Sequence, residues 1–280
     1  MIELPEGLVL AEQLDRELRD KRITDVLANT SPHRFAWYDG DPAAYPIRFT
    51  GREIEGAHSY GGKVHLRLKG SGGFLFADGI CLRLVPAGGT IPKKHQLYLE
   101  FEDGTRLVGS VQMYGALIGY DSLPVSAYDE AARQKPCPLS DDFSPVYFDG
   151  LLRSVKPSLS AKAFLATEQR IPGLGNGVLQ DILFRAGVHP KRAVSSLSSA
   201  DQDALFGSVK TTLREMAEAG GRNTEKDLYG RPGGYFTLLC RNTVLYPCPH
   251  CGASLVKEAY LGGSIYFCPS CQPSTQYYKR

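Results

Sequence analysis

Residues 162–192 read KAFLATEQRIPGLGNGVLQDILFRAGVHPKR, and this stretch decides the fold. Phe164 and Leu165 sit in one short helix. Leu179, Ile182, Leu183 and Ala186 fall on one face of a second, over 177–186, with Asn176 as its N-cap and Gly187 then Pro190 as its stop. Between them runs Ile171-Pro172-Gly173-Leu174-Gly175-Asn176-Gly177. Glycines so closely spaced let a backbone approach a partner, and the following helix start offers unpaired N–H groups to an anion. Two readings of the turn stay open: a seat for a phosphate, or an ordinary tight connection.

Downstream, Leu205, Val209, Leu213 and Met216 predict a further helix over about 200–219, ended by Gly220-Gly221. Beyond it Cys248 and Cys251 form one C-x-x-C and Cys268 and Cys271 another, sixteen residues apart. Two tight knuckles at that spacing converge four thiolates on one tetrahedral zinc, as in a zinc ribbon or β-hairpin finger. Four protein ligands close the coordination shell, so this Zn2+ organises a fold and does not catalyse. Cys81, Cys137 and Cys240 fit neither pair and read as ordinary buried or half-buried thiols.

Upstream, Leu10, Leu14 and Leu18 repeat every four residues after Pro5 and Glu6, which predicts an opening helix. The texture then turns to strands. Alternation is clean over Lys63-Val64-His65-Leu66-Arg67-Leu68 and over Gln96-Leu97-Tyr98-Leu99-Glu100-Phe101, and Glu102-Asp103-Gly104 marks a hairpin. Short strands broken by glycine clusters predict a β-sandwich or barrel flanked by a helix. From 122 to 155 the chain is rich in Pro, Ser and Asp with weak periodicity, a linker with little regular structure.

The chain of 280 residues is 42% hydrophobic and 22% charged, which excludes collagen-like and wholly disordered classes. No uncharged apolar run approaches the ~20 residues of a membrane span, and the start has no basic, apolar leader pattern. A cytoplasmic protein is expected. A net charge of +2 does not by itself argue for nucleic acid, so any such partner must be read from motifs.

Those motifs resemble one family. Residues 162–192 are similar to the helix-two-turn-helix segment of the formamidopyrimidine-DNA glycosylase and endonuclease VIII family, and CPHCG with FCPSCQ resembles the zinc finger that ends its chains. Glu3-Leu4-Pro5-Glu6 looks like the family's N-terminal signature, and Gly62-Lys63 matches a lysine on its early β-hairpin. The resemblance implies an α+β, bilobal protein: an N-terminal β-sandwich lobe with flanking helices over 1–122, a linker over 123–150, a helix-two-turn-helix domain over 151–240 and a zinc finger over 241–280. It further implies a monomer, nucleoid-associated, with damaged double-stranded DNA held in the cleft between the lobes. Lys63, Lys162, Gly175 and Asn176 would contact the phosphates, Lys162 having a solvated-helix alternative.

By resemblance the activity is base excision: an N-terminal proline amine attacks the sugar C1′, the adjacent Glu serves as acid/base, and strand elimination follows. Glu3 and Glu6 keep the registers of the family glutamates, but position 2 is Ile2. The free amine would then belong to Met1, up to ~3.6 Å beyond the family position. Lys63 could replace it only if desolvated. Met1, Glu3, Glu6 and Lys63 are therefore the candidate catalytic residues. Other departures are Gly263 where the finger carries Arg, Gln112-Met113-Tyr114-Gly115 where two arginines precede Phe-Gly, and Ala77-Asp78-Gly79-Ile80 at the Met wedge. Met113 and Tyr114 read either as apolar wedges in DNA or as strand-end packing. The stretch 222–230 resembles the base-covering loop and reads either as pocket contacts or as a purely structural segment. Two functions stay open, a glycosylase with weak or absent strand cleavage and a non-catalytic damage- or structure-recognising DNA binder, with a zinc-ribbon RNA binder third.

Overall fold

Leu10, Leu14 and Leu18 lie on one face of helix α1 (Leu4–Leu18) and are buried, as their spacing dictates. Each such side chain contributes roughly 1.5–3 kcal/mol on leaving water. The chain, a computed structural model describing residues 1–274, divides into two units. The first comprises Met1–Gln134 together with Ala219–Gly234, and the second Lys135–Glu218 with the chain from Tyr235 on.

In the first unit the strands are β1 (Ile23–Ala28), β2 (Ala36–Trp37), β3 (Ile54–Tyr60), β4 (Lys63–Leu68), β5 (Gly73–Val85), β6 (Leu97–Phe101) and β7 (Arg106–Tyr120), with α2 (Tyr45–Phe49) between β2 and β3. They form one seven-stranded sheet of order β1-β6-β7-β5-β4-β3, antiparallel except where β2 joins β7. The two ends of that order also meet: Ile23 N–H donates to Arg52 O at 2.8 Å and Ile54 N–H to Lys21 O at 2.9 Å. The sheet therefore curls until its edges touch, and one core draws on Val26 and Leu99 as well as Ile54, Leu66 and Phe74. The hairpin at 102–104 joins β6 to β7, with Gly104 at φ +75° where its missing Cβ is needed.

The stretch that reads as linker carries two helices, α3 (Ala127–Gln134) and α4 (Pro145–Arg153). Only Asp129 and Ala132 of α3 are buried, which is why no apolar period announces it. Asp129 is drawn in by His65, whose Nε2 lies 2.8 Å from its Oδ1.

The second unit holds α4, α5 (Ala161–Ala166), α6 (Val178–Arg185), α7 (Ser199–Glu218) and the hairpin β8 (Val256–Tyr260) with β9 (Gly263–Phe267). Ser160 caps α5 by accepting from Ala163 N–H. Gly187, at φ +66°, ends α6, and Val188 N–H reaches back to Leu183 O. Leu205, Val209, Leu213 and Met216 are the buried stripe of α7. The segment 219–234 follows α7 in sequence yet packs with the first unit, where Leu228 joins the core and its carbonyl accepts from Leu84 N–H. Residues 275–280 of the expected finger lie outside the described residues. Among the described residues no helix is long and apolar enough to cross a membrane.

Candidate active site

Glu3 and Glu6 flank the first turn of α1 and are 4% and 5% exposed. Burying two carboxylates requires a counter-charge, and Arg222, 2% exposed, supplies it. Its Nε and Nη2 donate to Glu6 Oε1 and Oε2 at 2.9 and 2.8 Å, and its backbone N–H also donates to Oε1 at 3.1 Å. With Glu3 N–H on Oε2 at 3.2 Å, Glu6 accepts four hydrogen bonds, which fills a carboxylate. Burial alone would raise the Glu6 pKa, but Arg222 outweighs it and the carboxyl lies below its ordinary value. Arg222 Nη1 lies 3.6 Å from Glu3 Oε2, and the guanidinium pKa is raised despite burial.

Two glycines let the β3–β4 turn reach this helix start. A Cβ on Gly7 would stand 2.7 Å from Gly62 Cα, and one on Gly62, at φ +79°, 3.0 Å from the Glu3 carbonyl carbon. Lys63, half-buried, opens β4 beside them. On the other side, Ile2 N–H donates to Asp78 O at 2.7 Å and the Ile2 side chain is buried in the core. The nitrogen at position 2 is thus an amide engaged in a β-bridge. The Met1 amino group pairs with Glu225 Oε2 at 2.5 Å. Asp78 feels the charge of both that amino group and Lys63, and burial lifts its pKa against their opposing pull. The Tyr114 hydroxyl lies 3.9 Å from Met1 Sδ, and its pKa is raised by burial and by Asp78 and Glu3. Met113, 63% exposed, points away from the core.

In the second unit the expected phosphate contacts are largely engaged elsewhere. Lys162 is buried and its Nζ donates to Tyr260 O at 2.5 Å, with burial lowering its pKa. Asn176 does not cap α6, whose N-cap is Gly177; its Nδ2 donates to Ser264 O at 2.9 Å. Gln180 bonds the same carbonyl and receives Tyr266 N–H, so α6 and β9 are stapled side by side. A Cβ on Gly263 would press on the Asn176 amide at 3.4 Å. Gly175 turns its carbonyl to Leu179 N–H.

Cys248, Cys251, Cys268 and Cys271 form one cluster, their sulfurs all within 4.8 Å of one another. The separations of 3.8 Å for Cys248–Cys271 and 3.5 Å for Cys251–Cys268 match the ~3.8 Å edge of a tetrahedron with ~2.3 Å metal–sulfur bonds. Gly252 at φ +76° and the bond from Cys248 N–H to Ala253 O shape the first knuckle. Of the other thiols, Cys137 is exposed, contrary to its expected burial, because it lies between α3 and α4.

The model of the formamidopyrimidine-DNA glycosylase H2TH domain matches residues 135–227. The formamidopyrimidine-DNA glycosylase of Geotalea daltonii is 30% identical over 97% of this chain and 100% of its own length. The chain belongs to the formamidopyrimidine-DNA glycosylase family. A relative from Geobacillus kaustophilus with the same name is 29% identical over 97% of this chain and 100% of its own. The MutM (Fpg) protein of Thermus thermophilus matches with a TM-score of 0.79 at 25% identity, covering 97% of this chain and 99% of that one. Lactococcus lactis Fpg, solved with DNA containing an abasic site, shares the fold with a TM-score of 0.82 at 22% identity, covering 97% and 100%.

Within this glycosylase family fold, Arg222, Glu225 and Asp78 complete the site; sequence reasoning placed them in the stretches 222–230 and 77–80 but gave none of them an individual role. Arg222 meets Glu6 across 216 positions, a pairing that no local pattern encodes. The resemblance at 222–230 and the departure at 77–80 were the available signal: Arg222 now bonds Glu6, and Asp78 O holds Ile2 N–H.

Proposed function

We propose that this family member is a DNA N-glycosylase of base excision repair that removes a damaged base from duplex DNA and leaves the strand intact. The observation that carries the reading is Glu3, a carboxylate held in a buried pocket by Arg222 at the start of α1. Burying that acid beside a counter-ion it shares with Glu6 is costly for stability alone and is an arrangement suited to acting on charge developing at a sugar. Relatives matched along their whole length are named for glycosylase activity, and solved neighbours hold DNA with an abasic site or with 8-oxo-G.

Nitrogen chemistry supports the absence of a lyase step. An amide at position 2, hydrogen-bonded to Asp78 O, has no nucleophilic lone pair, and the Met1 amine is engaged by Glu225. In this reading Glu3 acts toward the sugar, Glu6 positions Arg222, and Lys63, the Gly175 turn, Met113 and Tyr114 contact DNA. Lys162 and Asn176 brace the finger. The four cysteines would hold one structural zinc, which supplies folding energy.

A second reading, DNA binding without turnover, is favoured by the filled valences of Glu6. Duplexes with single oxidised or ring-opened bases separate the two. The glycosylase reading expects free base and strand breaks only after alkali, with no adduct on borohydride treatment. Tight binding with no base released from any lesion favours the binder, and a borohydride-stable adduct overturns the loss of the imine route.

A further inference from the structure

We infer that Asp78 is the catalytic base of this site, taking the proton from the water that replaces the damaged base on C1′. The inference rests on the glycosylase reading above and names the group that would stand in for an amine nucleophile. Asp78 lies where β5 breaks register against β7 at a bulge between 78 and 80. Its φ of +64° is one that Asp tolerates better than most residues but that still signals constraint. The backbone is pinned there from two sides. The Asp78 carbonyl holds Ile2 N–H, and at Gly79 even a Cβ would meet Tyr114 O at 2.6 Å.

So fixed, the half-buried carboxylate lies within the electrostatic reach of Lys63 from β4, the Met1 amino group, and the Tyr114 hydroxyl from β7. No described residue donates a hydrogen bond to it. The neighbouring acids are committed. Glu6 accepts four hydrogen bonds, Glu225 pairs with the amino group, and Glu3 faces the guanidinium. Asp78 is the acid of the group with lone pairs to offer a water molecule.

The step balances with water alone. As the bond from C1′ to the base nitrogen breaks, its electron pair leaves with the base, which takes a proton from solvent. The water oxygen bonds C1′ and gives its proton to Asp78, which returns it to solvent, and the products are free base and an abasic sugar. Burial lifts the Asp78 pKa above the ordinary carboxylate value, which makes it a stronger proton acceptor, and Lys63 and the amino group oppose that rise.

The test compares wild type, Asp78→Asn and Asp78→Glu in single-turnover base release from duplexes bearing 8-oxoguanine, formamidopyrimidine or dihydrouracil. Binding to a duplex with a tetrahydrofuran abasic analogue reports folding. Asp78→Asn should slow release by ~100-fold or more while leaving that binding within a few-fold, and Asp78→Glu should recover part of the rate. The wild-type rate should climb with pH along an acid limb that Asp78→Asn lacks. Release by Asp78→Asn at near the wild-type rate overturns the role of Asp78 and leaves the glycosylase reading standing. Wild type that releases no base overturns both.

Discussion

Replacing Arg222 with Met keeps most of the side-chain volume and removes the charge, so its cost reports on the buried ion cluster. Glu6 loses two charge-assisted bonds of 2.9 and 2.8 Å, and Glu3 loses the guanidinium 3.6 Å away. Stranding one partner of a buried pair typically costs about 3–5 kcal/mol. At ~2–4 °C per kcal/mol for a folding unit of this size, the melting temperature should fall by ~6–20 °C at pH 7.5. The gap should depend on pH in a defined direction. In wild type the Glu6 pKa is lowered, so its contribution is complete above the unfolded value near ~4.3 and is lost only as pH falls through the folded one. In Arg222→Met burial dominates and lifts that pKa, so the penalty is full at neutral pH and relaxes as Glu6 takes up a proton. Calorimetric melts at pH 7.5 and 5 should therefore converge, and adding Glu6→Gln should recover much of the loss. A drop under 2 °C, or a gap that does not change with pH, would refute the cluster as described.

Three other outcomes follow from single positions. Leu14→Ala, in the fully buried stripe of α1, should cost ~2–5 kcal/mol by chemical denaturation, and a loss below ~1 kcal/mol would mean the stripe is not packed. Gly187→Ala should cost ~1–2 kcal/mol from its φ of +66° alone, since the added methyl meets only Cys271 O at 3.5 Å; an unchanged midpoint argues against that helix end. Native protein should carry one zinc by elemental analysis, and Cys248→Ser or chelation should remove it and expose β8–β9 to proteolysis; metal-free yet protease-resistant protein contradicts the site.

What the sequence disclosed was local. The four-residue repeat of Leu10, Leu14 and Leu18, the hairpin before β7, the stop of α6 at Gly187 and the two cysteine knuckles each lie within one or two turns of chain, where spacing alone fixes geometry. What stayed hidden was set by tertiary contacts. Helix α3 shows no apolar period because its inward residue is Asp129, made tolerable by His65 from β4. Asn176 has the residue type of a cap yet serves β9 instead, because Ser264 O is brought within 2.9 Å by the finger. The segment after α7 reads as a continuation of the helical domain, but Arg222 and Leu228 commit it to the carboxylates and core of the first unit.

The charged groups named for this site, among the described residues, do not balance. Glu3, Glu6, Glu225 and Asp78 oppose Arg222, Lys63 and the Met1 amino group, four acids against three bases. Phosphates arriving with DNA would add to that excess, so the imbalance opposes binding and needs a return elsewhere in the reaction. A cationic, oxocarbenium-like sugar supplies one, because surplus negative charge held in a poorly hydrated pocket lowers the energy of positive charge that exists only at the transition state. The acids are not equally engaged. Glu6, Glu3 and Glu225 each face a cation in close contact, whereas Asp78 has only the longer-range pull of Lys63 and the amino group, and burial has already raised its pKa. Among the described residues Asp78 is therefore the acid of this set left with lone pairs for a water molecule.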